Sequence, residues 1–562
     1  MTSPSLSDSA SAKNFAAIDA AVERVAAHKH PWVSVAIPQR IALLRKCLAG
    51  VAQAAEGWTR DMCAVKGLSP DENLAGEEWL AGPATTARNI RLLIAALEAD
   101  GQPKPGNISR RPDGQYIVQI VPGEFSERVM FAGMSVDVWI EPGKAPTQGR
   151  IYRETKGAGK TCLVLGGGNV SSIPPMDVLY KLFVEDEVVV LKMNPVNEVV
   201  GPHLERAFEA LIREGYLAIV YGATDVGARL CQHPKIDTLH VTGSDRTYDA
   251  IVWGTDAGER QKRKAENRPI NTRPFSAELG CVTPCLVVPG DWSDSELEFQ
   301  ARHVASMVTQ NASFNCNAAK ALVTARSWPQ REQFLERLHA ALKRATARKA
   351  YYPGAEQRYR AFLDNYPKAQ AIGPAADGAL PWTILPDVPA KKGEYALTNE
   401  AFCGVLAEVA IDAGNASEFL ARAVDFANDD CWGTLSCMLL IDPRTARAHA
   451  IDFDRAIERL RYGSVCVNAW AGLMYGLASP PWGAFPGHVS TDIQSGTGVV
   501  HNTFLLDHPQ KAVVRAPFRI SPTPAWFFDH RNLLGLGRNL VRLESSPGFG
   551  AFAATALAGL KG

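Results

Sequence analysis

Cys316 stands in the run QNASFNCNA, after an amphipathic segment and among amide and small residues that make poor core material. Polar neighbours and a nearby helix end favour the thiolate, which is the nucleophile of covalent catalysis. The alternative for any single cysteine is a small buried apolar side chain, and that is the reading of the other ten. Glu278, in PFSAELGCVTP, precedes the apolar run PCLVVP and is expected close to a buried sheet. A carboxylate held there has a raised pKa and can act as a base for water. Its competing reading is a loop carboxylate paired with Arg268 or Arg273. GGGNVSSIPP follows the apolar run TCLVLG, so its glycines permit a tight turn in which Asn169 can offer an amide N–H to a developing oxyanion. Gly222 and Gly227 in YGATDVG, and Gly243 and Ser244 in VTGSDRT, lie between a strand and a helix start. Free N–H groups and the helix dipole there suit a pyrophosphate, although ordinary strand-to-helix loops have the same composition.

These residues need a scaffold, and the hydrophobic pattern supplies one. From about Ala17 to Glu98 the apolar residues recur at helical spacing, as in Ile18, Val22 and Val25. YIVQIVP and MSVDVWIEP, between Tyr116 and Pro142, are β-branched and alternating, which predicts an antiparallel pair. From Lys160 the chain alternates short β-branched runs (TCLVLG, EVVVLKM, LAIVYG, IDTLHVT) with amphipathic segments, the rhythm of parallel sheets covered by helices. After a basic stretch, Glu259 to Asn271, read as a loop, the rhythm resumes through PCLVVP, KALVTA, VLAEVAI, LSCMLLI and GSVCVNA. The fold class is therefore α/β, with two Rossmann-like domains in series and a small antiparallel arm. The expected division gives a disordered stretch at 1–15 and a first α/β domain from 16–115 and 150–277. The arm is assigned 116–149 and 479–500, the second α/β domain 278–478, and an apolar, aromatic tail 501–562.

Composition narrows the function. Lys plus Arg and Asp plus Glu are both 59, so the chain has no basic excess for nucleic acid. No apolar run reaches the roughly 18 residues of a membrane helix, and the N-terminus lacks a signal-peptide core. Eleven cysteines without a CxxC pair fit neither a disulfide scaffold nor a zinc ribbon, so no metal is expected and a cytoplasmic location is.

Taken in order, the motifs resemble those of the aldehyde dehydrogenase superfamily, from about Gly157 to Gly498. GGGN is similar to the family's Trp-Asn-Phe/Tyr-Pro turn, putting Asn169 on the oxyanion amide. VVVLKMNP resembles the strand ending in Lys-Pro-Ser-Glu, so Lys192 falls on the lysine that binds the adenine ribose. YGATDVG and HVTGSD resemble the following cofactor turns, AELG resembles Glu-Leu-Gly-Gly and assigns Glu278 as general base, and FNCNA assigns Cys316 as nucleophile. NEAFCG is similar to Glu-x-Phe-Gly-Pro, which puts Glu400 on the nicotinamide ribose with Phe402 beside it; NDDCWGTLS and GSVCVNA resemble later blocks. Gly168 and Ser171 replace the Trp and Pro that flank the family's asparagine, which loosens that turn. Pro195 stands where many NAD-specific members carry a glutamate, which makes NADP admissible. Tyr248 replaces a helix glycine and is expected to remodel the pyrophosphate site.

The resemblance implies oxidation of an aldehyde with NAD or NADP through a cysteine thioester released by water. Its alternatives are a CoA-acylating aldehyde dehydrogenase or acyl-CoA reductase, and a catalytically silent structural relative. It also implies a homodimer or homotetramer; the arm and the apolar tail are expected to be buried at a subunit interface or over the neighbouring catalytic domain, the alternative being a tail packed on its own subunit and a local hairpin.

Overall fold

The computed structural model describes residues 6–154, 157–373 and 377–562. Its frame is two sheets whose strands are short, β-branched and almost wholly buried. In the six-stranded sheet the order is Gly496–Thr497, Phe275–Glu278, Thr238–Thr242, Lys160–Leu165, Glu187–Lys192, Leu217–Val220. The last five are parallel and Gly496–Thr497 closes one edge antiparallel. From Lys160–Leu165 the chain fills one side of the sheet, then returns to fill the other. The switch point therefore lies between Lys160–Leu165 and Thr238–Thr242, where open α/β sheets bind ligands at their carboxyl ends. Helices Ile37–Lys66 and Thr85–Glu98 pack apolar faces over this sheet, with Trp58, Leu93 and Leu97 buried against it.

The second sheet has eleven strands. Its parallel core runs Pro509–Arg515, Ser464–Val467, Ser436–Leu440, Thr283–Val287, Ala319–Ala325, Val405–Ile411, Trp382–Leu385. The α/β expectation with two sheets and an antiparallel arm describes this architecture.

Four details depart from the sequence reading. Helix Leu6–Ala27 begins inside the stretch read as disordered, because Ile18, Val22 and Val25 bury one face of it; residues 1–5 lie outside the described residues. The stretch read as a basic loop holds helix Ala257–Ala265, which Asp256 starts by accepting the Glu259 N–H. The arm begins earlier, at Asn107–Arg110, a strand exposed along its length and so without the alternation that reveals a half-buried strand. The segment 479–500 does not join the arm: Pro481–Gly483 pairs with Val499–His501, and Gly496–Thr497 with Phe275–Glu278.

The arm and tail, expected at a subunit interface or over the neighbouring catalytic domain, meet within the chain. Tail strand Pro509–Arg515 lies inside the eleven-stranded sheet, parallel to Ser464–Val467 on one side. On its other side it pairs antiparallel with arm strand Ser135–Ile140. Phe518 packs on Trp292 with ring centroids 5.0 Å apart, and Phe527 on Phe299 at 5.0 Å. Leu505, Leu506, Trp526 and Phe527 are buried, while Phe504 and Phe528 are half-buried. The chain thus satisfies both the arm's strand edge and the tail's apolar side chains by itself.

Val513, wholly buried between two neighbouring strands, tests this placement. Val513→Asp should lose upward of about 4 kcal/mol and most of the soluble yield, since a lone carboxylate would be sealed in the sheet. The exposed Val489→Asp should stay within about 0.5 kcal/mol in the same thermal unfolding comparison.

Candidate active site

Strand ends at the switch point feed one cavity of about 1500 Å³. Asn169, Lys192, Gly243, Glu278 and Cys316 all line it, as do Glu400 and Phe402.

Cys316 is delivered by a strained turn. Helix Asp294–Thr309, opened by a Ser293–Glu296 capping box, ends at Gln310–Ser313. Asn311, Ala312 and Ser313 then take left-handed φ values of 52°, 55° and 68°. For non-glycine residues that conformation costs of order 1 kcal/mol each, so surrounding bonds must hold it. Asn311 Nδ2 does so, lying 3.1 Å from the Phe314 carbonyl and 3.0 Å from Asn315 Oδ1. Below the thiol, the Cys316 carbonyl accepts from Thr283 Oγ1 and from Lys320 Nζ, each at 3.0 Å. Among the described residues the Cys316 backbone N–H has no acceptor.

Glu278 ends its strand 4% exposed, with Oε1 buried and unpartnered. It pairs with neither arginine of the competing reading: Arg268 binds Glu266, and Arg273 binds the Cys231, Gln232 and His233 carbonyls. Burial and then the nearby Asp177 charge push its carboxyl up to about 8. Burial, then the Glu278 and Glu400 carboxylates, also raise the Cys316 thiol well above its usual range. Two acids thus line one cavity in which neither ionises easily.

Asn169 is buried, and its Nδ2 donates to the Phe314 carbonyl at 2.9 Å, which leaves one N–H of that amide unspent. A Cβ on Gly168 would meet Asn194 Oδ1 at 2.6 Å, so glycine is required by a polar neighbour there. Ser171 accepts the Trp58 indole N–H at 2.8 Å. The turn read as loosened is therefore held by other bonds.

At the far end of the cavity, Gly227 has open space where a Cβ would sit, and Gly243 is nearly as free. Ser244 caps helix Asp245–Trp253 by accepting the Thr247 N–H. Gly222 does not line the cavity; its φ of +134° makes the tight turn ahead of helix Thr224–Gln232. Tyr248 is corrected: its ring is buried against Phe275, centroids 4.9 Å apart, and takes no part in the cavity wall. Lys192 and Pro195 share the wall, and burial lowers the Lys192 pKa against the pull of Glu198 and Asp225.

Glu400 is held by Lys320 at 3.1 Å and packs against Gly280, where a Cβ would lie 2.0 Å from its Oε2. Lys320, missed in the sequence, also binds the Asn315 and Ala318 carbonyls; a buried lysine four residues after the cysteine was the available signal. Phe402, at φ 43°, sets its ring 5.0 Å from Tyr352. Asp177, also missed, accepts from Thr242 Oγ1 at 2.8 Å.

Residues 182–356 match the sequence profile of the Aldehyde dehydrogenase family. Over that stretch the chain is similar to the aldehyde dehydrogenase family. A search of curated proteins by sequence gave no match. Solved structures share the aldehyde dehydrogenase fold at low identity. A putative aldehyde dehydrogenase from Burkholderia cenocepacia is 20% identical, with TM-score 0.60 over 88% of this chain and 92% of that one. Aldehyde dehydrogenase C of Pseudomonas syringae, a variant solved with NAD+ and octanal, is 15% identical, with TM-score 0.59 over 91% and 90%. The NADP-dependent glyceraldehyde-3-phosphate dehydrogenase of Bacillus halodurans, solved with NADP, is 16% identical, with TM-score 0.59 over 88% and 90%. Among the described residues no helix is long and apolar enough to cross a membrane.

The Glu278 environment sets a pH signature. With its pKa pushed up to about 8, the Glu278 carboxylate becomes available as pH rises, so a turnover that uses it as the base for water should climb through about pH 8. Asp177→Asn removes a repelling charge, makes Glu278 easier to ionise and should move that limb to lower pH. An unmoved limb in the pH–kcat profile would dissociate Glu278 from the water step.

Proposed function

We propose that this chain oxidises an aldehyde to its carboxylic acid with NAD+ or NADP+, by way of a thioester on Cys316. The reading rests on one juxtaposition: the Cys316 thiol, the Glu278 carboxyl and the Asn169 amide converge in a cavity that runs on to Lys192 and Gly243. That cavity also suits the dinucleotide, because a capped helix N-terminus and glycines without Cβ atoms give a diphosphate close backbone approach.

Cys316 gives its proton to the ionised Glu278 carboxylate, which passes it on to solvent, and the sulfur bonds to the aldehyde carbon as the carbonyl π pair moves to oxygen, leaving the oxygen negative. The free Asn169 N–H and the Cys316 backbone N–H are the donors available to that oxygen. Bound NAD(P)+ supplies the hydride acceptor. The C–H bond lost in that transfer leaves a Cys316 thioester. Glu278 then takes a proton from water, hydroxide oxygen adds to the thioester carbon, and the C–S bond breaks to release the acid. Glu400 and Phe402, which line the same cavity, would hold the nicotinamide end, with Lys192, Gly227, Gly243 and Ser244 toward the adenosine end. Gly222 shapes the turn behind them.

The buried carboxyl beside the thiol supports water, in preference to CoA, as the acceptor of the acyl group. Pro195, which brings no carboxylate to the wall it shares with Lys192, supports use of NADP. Homodimer or homotetramer assembly belongs to the same reading, with the exposed strand Asn107–Arg110 and Phe125 as the arm's open face.

A panel from acetaldehyde to octanal, plus salicylaldehyde, with NAD+ or NADP+ and with or without CoA, tests the reaction class. Reduction without CoA is expected, falling about 10⁴-fold or more in Cys316→Ala. Reduction that required CoA would overturn hydrolysis. Lys192→Ala should raise the KM for NADP+ about tenfold and that for NAD+ much less, since only the former loses a charge-assisted phosphate contact. Equal effects on both would remove Lys192 from the phosphate.

A further inference from the structure

The Asn169 carbonyl carries more bonds than a loop carbonyl needs. Lys66 Nζ lies 3.2 Å from it, Asn311 Nδ2 3.0 Å and the Tyr351 hydroxyl 3.0 Å. These donors come from three distant parts of the chain: helix Ile37–Lys66, the strained turn before Cys316, and the segment preceding helix Ala355–Asn365. They also bind one another. Lys66 Nζ and the Tyr351 hydroxyl reach Asn311 Oδ1 at 2.8 and 3.0 Å. Lys66 pairs with Glu78 at 2.7 Å, both 2% exposed. Neighbouring Glu77 binds Arg348 at 2.9 Å and lies 3.3 Å from the Asn311 N–H.

A lysine sealed this deeply is costly unless every donor is spent, and this one spends all three on Glu78, Asn311 and Asn169. The third bond is informative, because neutralising Glu78 does not require it. Convergence on a single carbonyl fixes the peptide plane after Asn169, and with it the direction of the Asn169 side chain. Asn311 at the same time bonds the Phe314 carbonyl, which also receives Asn169 Nδ2. The cluster therefore fixes the spacing between the Asn169 amide and the loop that carries the Cys316 N–H.

We infer that Lys66, Tyr351 and Asn311 are positioning residues for the oxyanion donors, holding the Asn169 amide and the Cys316 loop in one rigid frame. This rests on the proposed role of Asn169. Such a frame adds to the packing of Gly168 on Asn194 and the Trp58 bond to Ser171 that already hold this turn. Preorganised donors accelerate a reaction only if they need not reorient as charge develops.

The test compares two rates on Cys316 in the full-length protein. One is the pre-steady-state burst of NAD(P)H with octanal or salicylaldehyde, whichever the unmodified chain oxidises faster, which passes through an oxyanion. The other is alkylation of Cys316 by iodoacetamide, which does not. Tyr351→Phe removes one donor and leaves no charge behind, and Lys66→Met combined with Glu78→Gln removes the ion pair as a unit. The burst should slow about tenfold in the first and about a hundredfold in the second, with alkylation unchanged within about twofold. Asn169→Ala, run alongside, should slow the burst by about a hundredfold. An unchanged burst in Tyr351→Phe and in the paired variant, beside a slow Asn169→Ala, overturns the inference alone. Alkylation falling in step with the burst also overturns it, since the cluster would then be supporting the thiol or the fold. A full burst in Asn169→Ala overturns the oxyanion reading and the inference with it.

Discussion

The crossing between Glu278 and Thr283 governs the rest of the molecule. Within it the chain leaves the six-stranded sheet and enters the eleven-stranded one, with Leu279, Cys281 and Val282 fully buried. At one end Gly243 N donates to the Glu278 carbonyl at 3.0 Å, and at the other Thr283 Oγ1 donates to the Cys316 carbonyl at 3.0 Å. Between them, Ser495 Oγ binds the Gly280 carbonyl at 2.7 Å, and Glu400 packs where only a glycine fits. Glu278, the Cys316 loop, the Gly243 turn and Glu400 are thus referenced to one short buried segment. A shift there would move all four together.

That arrangement accounts for the unusual electrostatics. Burial beside the crossing, with neighbouring carboxylates, raises the pKa of both the Glu278 carboxyl and the Cys316 thiol. An acid and a base that are each reluctant to carry charge suit a two-stage reaction. The thiol must lose its proton for attack and the carboxyl must gain one from water later, so the two groups need compatible rather than opposite affinities. Lys320 sits beneath the thiol loop with its charge on Glu400 and three backbone carbonyls, which anchors that loop without forming a permanent thiolate pair.

Much of this was legible in the residues, for physical reasons that differ by element. The strands announced themselves because buried parallel strands are short β-branched runs bounded by turn residues, as in EVVVLKM and LSCMLLI. Glu278 stood out because it is charged beside an apolar run, and Cys316 because its amide and small neighbours make poor core material. What was not legible was non-local. Nothing in PQKAVVR says that it pairs with Ser135–Ile140, more than three hundred residues earlier, so arm and tail read as two unsatisfied surfaces instead of one shared sheet. Tyr248 read as an intrusion because its ring direction depends on Phe275, on another strand. Lys66 lies in an ordinary amphipathic helix, and only the fold brings it to Asn169. Asn107–Arg110 left no alternation because both its faces are exposed.

The central claim is that Cys316 carries the acyl group and Glu278 removes it by way of water. Intact-protein and peptide mass spectrometry of Glu278→Gln, after incubation with an oxidisable aldehyde and NAD(P)+, reads this directly. The account predicts one acyl adduct per chain, confined to the Cys316 peptide, with the mass of the aldehyde less two hydrogens. An adduct at the full aldehyde mass would mean that oxidation had not followed attack. An unmodified Cys316, in a variant that still reduces the dinucleotide, would contradict covalent catalysis at this site.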